Sequence, residues 1–138
     1  METTTTTTAP TPHGLLRRHR GKILVFGFLV AVALVMGIWT AVTLAFSYSK
    51  GDRVGYVQKF SRRGWICPTW EGELAMSPVP GSQPQIFQFT VRDGELAKRI
   101  TAAEGKKVAL HYEEKRGLPS SCFGDTGYFV VEVRPLGP

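Results

Sequence analysis

Reactive groups are scarce in this chain. It holds two cysteines and three histidines in 138 residues, and His111 is the single histidine beyond residue 22. No set of side chains has the spacing of a metal site, because a tetrahedral zinc centre needs four Cys, His or carboxylate ligands. G-x-S-x-G, H-E-x-x-H, P-loop and G-x-G-x-x-G segments are all missing. That excludes the nucleophile elbow, the zinc-protease helix and both phosphate-cradling loops. No cofactor, metal ligand or catalytic residue is expected, and the chain is not expected to be an enzyme. Glu71 and Glu73 share one strand parity, and paired carboxylates can divide acid and base roles. A solvated strand face is the simpler reading of that pair.

Charge is missing altogether from Ile23 to Phe46. A helix of that length reaches roughly 36 Å, enough to cross a hydrocarbon core of about 30 Å with some tilt. A cleaved signal has a shorter apolar region, about 7–15 residues, and a small-x-small site. Thr43-Leu44-Ala45 is a poor site of that kind, so an uncleaved signal-anchor is expected. A buried soluble helix is excluded by size, because the 88 residues after Lys50 cannot wrap a helix that is apolar on every side. Arg17, Arg18, Arg20 and Lys22 crowd the N-terminal flank. They place the N-terminus inside and the C-terminal domain outside a cytoplasmic (inner) membrane.

The net charge of +6 is therefore largely a topology signal. Residues 51–138 hold twelve Lys/Arg against ten Asp/Glu, which is weak ground for nucleic-acid binding. Nucleic acid is accordingly not the expected partner; the lipid bilayer and an envelope protein or polymer are. Within the span, Ala33, Gly37, Ala41 and Ala45 recur every fourth residue. Small residues at that spacing let two helices approach closely, so this face is a candidate for homodimer pairing.

Residues 1–22 open with a threonine run that has nothing apolar to bury, and a disordered basic tail is expected there. Residues 47–53 read as a polar linker, and 54–138 as one small β domain. Alternation predicts a first strand over 54–60, with Val54, Tyr56 and Phe60 on one face. A second strand is expected over 65–76, where Ile66, Trp70, Leu74 and Met76 share a parity. A third is expected over 85–91. The period then changes: Asp93 can cap a helix over 94–104 that Gly105 ends. Strands follow over 107–113 and 128–134, separated by a long loop over 115–126. The order β-β-β-α-β-β is that of an OB-fold, a five-stranded barrel with a helix between strands three and four. Another small α+β arrangement shares that order.

Cys67 and Cys122 both lie in this domain. An even count fits a disulfide where the compartment is oxidising. In an OB-like barrel, however, the second strand and the loop after the fourth need not be neighbours, so the pairing stays open. Aromatic residues are the one surplus. Trp65 and Tyr128 fall on the parity opposite the apparent core, and with Arg62 and Arg63 they form a candidate binding surface. OB-folds bind oligonucleotides or oligosaccharides on such faces. The simpler reading is that aromatics fill the barrel and its mouth.

Val57-Gln58-Lys59-Phe60-Ser61, Gly64-Trp65-Ile66-Cys67 and Thr69-Trp70-Glu71-Gly72-Glu73-Leu74 resemble segments of an uncharacterised family of small single-pass bacterial membrane proteins. Pro119-Ser120-Ser121-Cys122-Phe123-Gly124 is similar as well. Some members of that family carry a 6-phosphogluconate dehydrogenase label. This chain gives the label no support, since it has no dinucleotide fingerprint and is too short. The resemblance implies a membrane-anchored β domain and supplies no catalytic residue. The function expected is a non-catalytic interaction or structural role in the cell envelope. The alternative is an OB-like module for oligosaccharide or, if cytoplasmic, single-stranded nucleic acid.

Overall fold

The structure, a computed structural model, describes residues 13–76 and 80–137. It divides into two units, Met1–Trp39 and Thr40–Pro138. Helix α1 covers His13–Ala45. Within it, His19–Ala45 has a mean hydropathy of 2.5 in its most apolar stretch, and none of that stretch is buried. Leu24, Phe26 and Leu34 all stand exposed. The helix starts well before Ile23, because Leu, Arg and Lys are good helix formers and extend a helix already nucleated by the apolar run. The tail expected over 1–22 is thus helical from His13; its first twelve residues lie outside the described residues.

The second unit is built from β1 (Ser49–Arg63), β2 (Thr69–Met76), β3 (Gln85–Val91), α2 (Gly94–Thr101), β4 (Lys107–Glu114) and β5 (Tyr128–Pro135). A short 3₁₀ turn, Ser121–Phe123, lies in the loop before β5. The strands are ordered β1-β2-β3-β5-β4, and β1 also pairs with β4, so the sheet returns on itself as a barrel. Neighbours are antiparallel except β3 and β5, which meet in parallel at Thr90 and Phe129. Leu74, Phe89, Val91, Val108 and Leu110 fill the interior. Helix α2 adds Leu96, Ala97 and Ile100 to the same core. Asp93 caps it by accepting from the Glu95 N–H at 2.9 Å.

Strand β1 is longer than alternation alone suggests. It begins at Ser49, inside the expected linker, because β4 pairs with it from Ser49 to Tyr56. Its register against β2 shifts between Val57 and Lys59, and such a bulge switches the strand's parity. Val57 and Phe60 therefore turn inward, while Val54 and Tyr56, expected on one face with Phe60, face solvent. A second shift at His111/Tyr112 leaves Val131 outside, with Val130 and Val133 both buried. Strand β2 begins only at Thr69, so Ile66, expected to share a face with Trp70, sits in a loop and is 82% exposed. Pro68 lacks the N–H that would carry the ladder further back.

Where the chain enters the barrel, Glu113 gathers three partners. Lys50 Nζ lies 2.8 Å from it, Ser47 Oγ donates at 2.7 Å, and Lys115 Nζ lies 3.6 Å away. Lys115 also donates to the Leu44 carbonyl. The hydrogen bond from Lys50, then that from Ser47, holds the carboxyl down from 4.5 to about 2, against the opposing effect of burial. A depressed folded-state pKa means stability present above the unfolded value and lost as pH falls toward the folded one. With Lys50 58% exposed, screening reduces the contribution to about 1–2 kcal/mol. Urea unfolding of Glu113→Gln should fall short of the parent by that amount at pH 6. The gap should close as pH drops from 4.5 to 2; a gap unchanged at pH 2 would contradict this account.

Candidate binding surface

Two loops dominate one region of the barrel: L12 (residues 64–68, between β1 and β2) and L45 (residues 115–127, between β4 and β5). They are joined by the Cys67–Cys122 disulfide, with Cα atoms 4.9 Å apart. The two positions are neighbours because L45 folds back over the outer face of β2 and β3. Glu71 holds it there. Its carboxylate accepts from Thr69 Oγ1 and Thr90 Oγ1, both at 2.7 Å, and from the Asp125 N–H at 3.1 Å. The Thr126 N–H donates to Thr90 Oγ1 at 3.3 Å. Glu71 is only 7% exposed. With its oxygens occupied in this way, it is a brace between two strands and a loop, not a free base.

The bridge and a turn present the tip of L12. Gly64 has φ +103°, and a Cβ there would strike the Cys67 carbonyl, so only glycine fits. Trp65, next in the chain, is 96% exposed. A cleft of about 310 Å³ runs between the loops, with Arg63, Trp65, Ile66, Cys122 and Asp125 along it. Of the four residues expected to form a surface, the structure brings Arg63 and Trp65 to this cleft. Arg62 is exposed but, as the neighbour of Arg63 on a strand, projects to the other side. Tyr128 is placed elsewhere: half-buried, it packs against the core, its ring 5.2 Å from Phe87 and 5.5 Å from Tyr112.

The outer face beside the cleft is polar. One row across β1, β2 and β3 is Ser61–Glu71–Thr90, and the next is Lys59–Glu73–Gln88. Lys59, Arg63, Glu73, Gln88 and Asp125 border a small hollow of about 50 Å³ there. Neither row has an aromatic residue, because the rings lie on the opposite parity. Phe60 stacks on Trp70 at 5.3 Å and on Phe89 at 6.1 Å inside the barrel. Asp125, Thr126 and Gln88 are site residues that sequence reasoning missed; Thr69 and Glu71, two apart on one face, were the available signal for a braced polar pair. Among the described residues, no group of three His, Cys, Asp or Glu could hold a metal ion.

A small barrel with this strand order, a capping helix and a clasped L12–L45 pair defines an OB-type module. Comparison with solved structures agrees on the fold. Two crystal structures of Rim1, a mitochondrial single-stranded DNA-binding protein from S. cerevisiae, superpose with TM-scores of 0.51 and 0.50 at 14% and 15% identity. In both cases the match covers 66% of this chain and 96% of the other. No protein-family model and no curated protein sequence matches the chain.

Proposed function

We propose that this protein is a single-pass, membrane-anchored, non-catalytic binding module. Its OB-type domain stands on the oxidising side of a cytoplasmic membrane and contacts an envelope protein or polymer through the L12–L45 cleft. The observation that carries this reading is the Cys67–Cys122 bridge. Disulfides persist in oxidising compartments, and this one fixes the two loops that flank the ligand face of OB-folds. The unburied apolar helix α1 and its N-terminal basic cluster support the same orientation. Fusions of alkaline phosphatase and of green fluorescent protein to the C-terminus of the full chain test it. Active phosphatase with a dark fluorescent fusion is expected, together with no free thiol in denatured, unreduced protein. A bright fluorescent fusion with inactive phosphatase, or two free thiols, would overturn it.

Single-stranded nucleic acid is the second reading, supported by the likeness to Rim1 and by Arg63 and exposed Trp65 at the cleft. Against it, Glu73 and Asp125 set negative charge beside Lys59 and Arg63, and the outer rows of β2 and β3 carry no aromatic stacking platform. Fluorescence anisotropy of labelled oligo-dT with the full chain in detergent decides between the two. Micromolar affinity that falls steeply with salt and disappears in Trp65→Ala would favour nucleic acid.

A further inference from the structure

Strand β3 is paired on one side and open on most of the other. It pairs with β2 from Gln85 to Val91 without a break in register, yet it meets β5 only at Thr90. Among the described residues no strand runs along the edge from Gln85 to Phe89. A groove of about 450 Å³ lies beside it, bounded by Ile86, Phe87, Gln88, Thr126, Gly127 and Tyr128. Open edges are ordinarily guarded by a lysine, a proline or a bulge. Gln85-Ile86-Phe87-Gln88-Phe89 has none of these. It is uncharged and rich in strand-forming residues, the type of segment that stacks into sheets when left bare. Ile86 is 46% exposed on it.

We infer that this edge is covered by the same edge of a second copy, the two β3 strands pairing antiparallel about a twofold axis. An isologous contact sets each patch against itself, so it needs a segment without like charges. This segment meets that requirement. With the axis at Phe87, Ile86 of one copy lies opposite Gln88 of the other, joining the exposed apolar group to a neutral one. A charged foreign peptide would find no complementary charge on the edge. Five residues a side bury well under the roughly 1,000 Å² of a stable interface, so the pair would be weak between free molecules. Anchoring both copies in one membrane raises their effective concentration without a new contact; this last point rests on the membrane-anchored reading.

Energy transfer between donor- and acceptor-labelled full chains in lipid vesicles tests the inference. The parent should exceed the level of random proximity. Q85K/Q88K, which puts two positive charges on each copy's edge, should fall to that level with an unchanged melting temperature. Gly37→Leu, which blocks the small-residue face of α1, should leave transfer intact. Hydrogen exchange at Ile86–Phe89 should speed up at least tenfold in Q85K/Q88K. If that variant melts early, Gln88→Glu takes its place. Random-level transfer in the parent, transfer that survives the edge substitutions, or loss only in Gly37→Leu would each overturn it. Vesicle flotation reports insertion separately. If the chain does not insert, the membrane reading fails, and the same variants are compared by sedimentation at high concentration.

Discussion

Replacing Cys67 and Cys122 together by serine is expected to lower the free energy of unfolding by about 4 kcal/mol. The bridge joins residues 55 apart, and the chain-entropy model assigns roughly that stabilisation to a loop of this length. For a small domain the loss is large, since total stabilities run about 5–15 kcal/mol. The native state adds a second reason. L45 joins the β ladder only at its ends, with the Lys115 N–H donating to the Gly127 carbonyl at 2.8 Å. Between them it is held by the bridge, by Glu71 and Thr90, and by the Arg92 guanidinium over the Phe123 ring. Without the bridge the Glu71 brace still fixes Asp125 and Thr126, but the 3₁₀ turn and Trp65 lose their mutual restraint. Urea unfolding of the full chain, with and without a thiol reductant, measures the effect. A shift below 1 kcal/mol would mean that these other contacts alone hold the loop and that the cleft does not depend on the bridge.

The element order was legible because each transition carries a local signal. Alternation stops at Asp93, a helix cap follows, and Gly105 closes the turn with φ +73°. The apolar stretch of α1 was legible for the same kind of reason, since lack of charge is a local property, but its start at His13 was not. Facing was less legible. The bulge near Gln58 turns Val57 inward and Tyr56 outward, and no residue there announces it; the extra residue is imposed where β1 passes from β4 to β2. Tyr128 misled for a related reason, since its parity suggested the outside while the barrel packs its ring against Phe87 and Tyr112. The site was legible only in part. Arg63 and Trp65 lie within four residues of Cys67, but the meeting of L12 with L45 is a long-range contact created by the fold back over Glu71.

Gly72→Ala is expected to cost about 2–3 kcal/mol, although it adds a single methyl group. Gly72 pairs with Phe60 on one side and Phe89 on the other, and the two rings close over it with centroids 6.1 Å apart. A Cβ at that position would lie 2.7 Å from Phe89 Cε2 and 2.9 Å from Phe60 Cδ2. Phe89 is fully buried, so its ring has no free space into which to retreat. Overpacking of this kind typically costs about 1–3 kcal/mol. Phe89→Leu removes the far edge of the ring and should relieve the collision. The double variant should then be more stable than the sum of the single losses predicts, by about 1 kcal/mol. Strict additivity in urea unfolding would show that the strain has another source. The same substitution reaches the outer face, because Glu71 and Glu73 flank Gly72 on the opposite parity. A displaced β2 would loosen Glu71 from Thr90 and the Asp125 N–H, and amide exchange at Asp125 should quicken in Gly72→Ala but recover in the double variant.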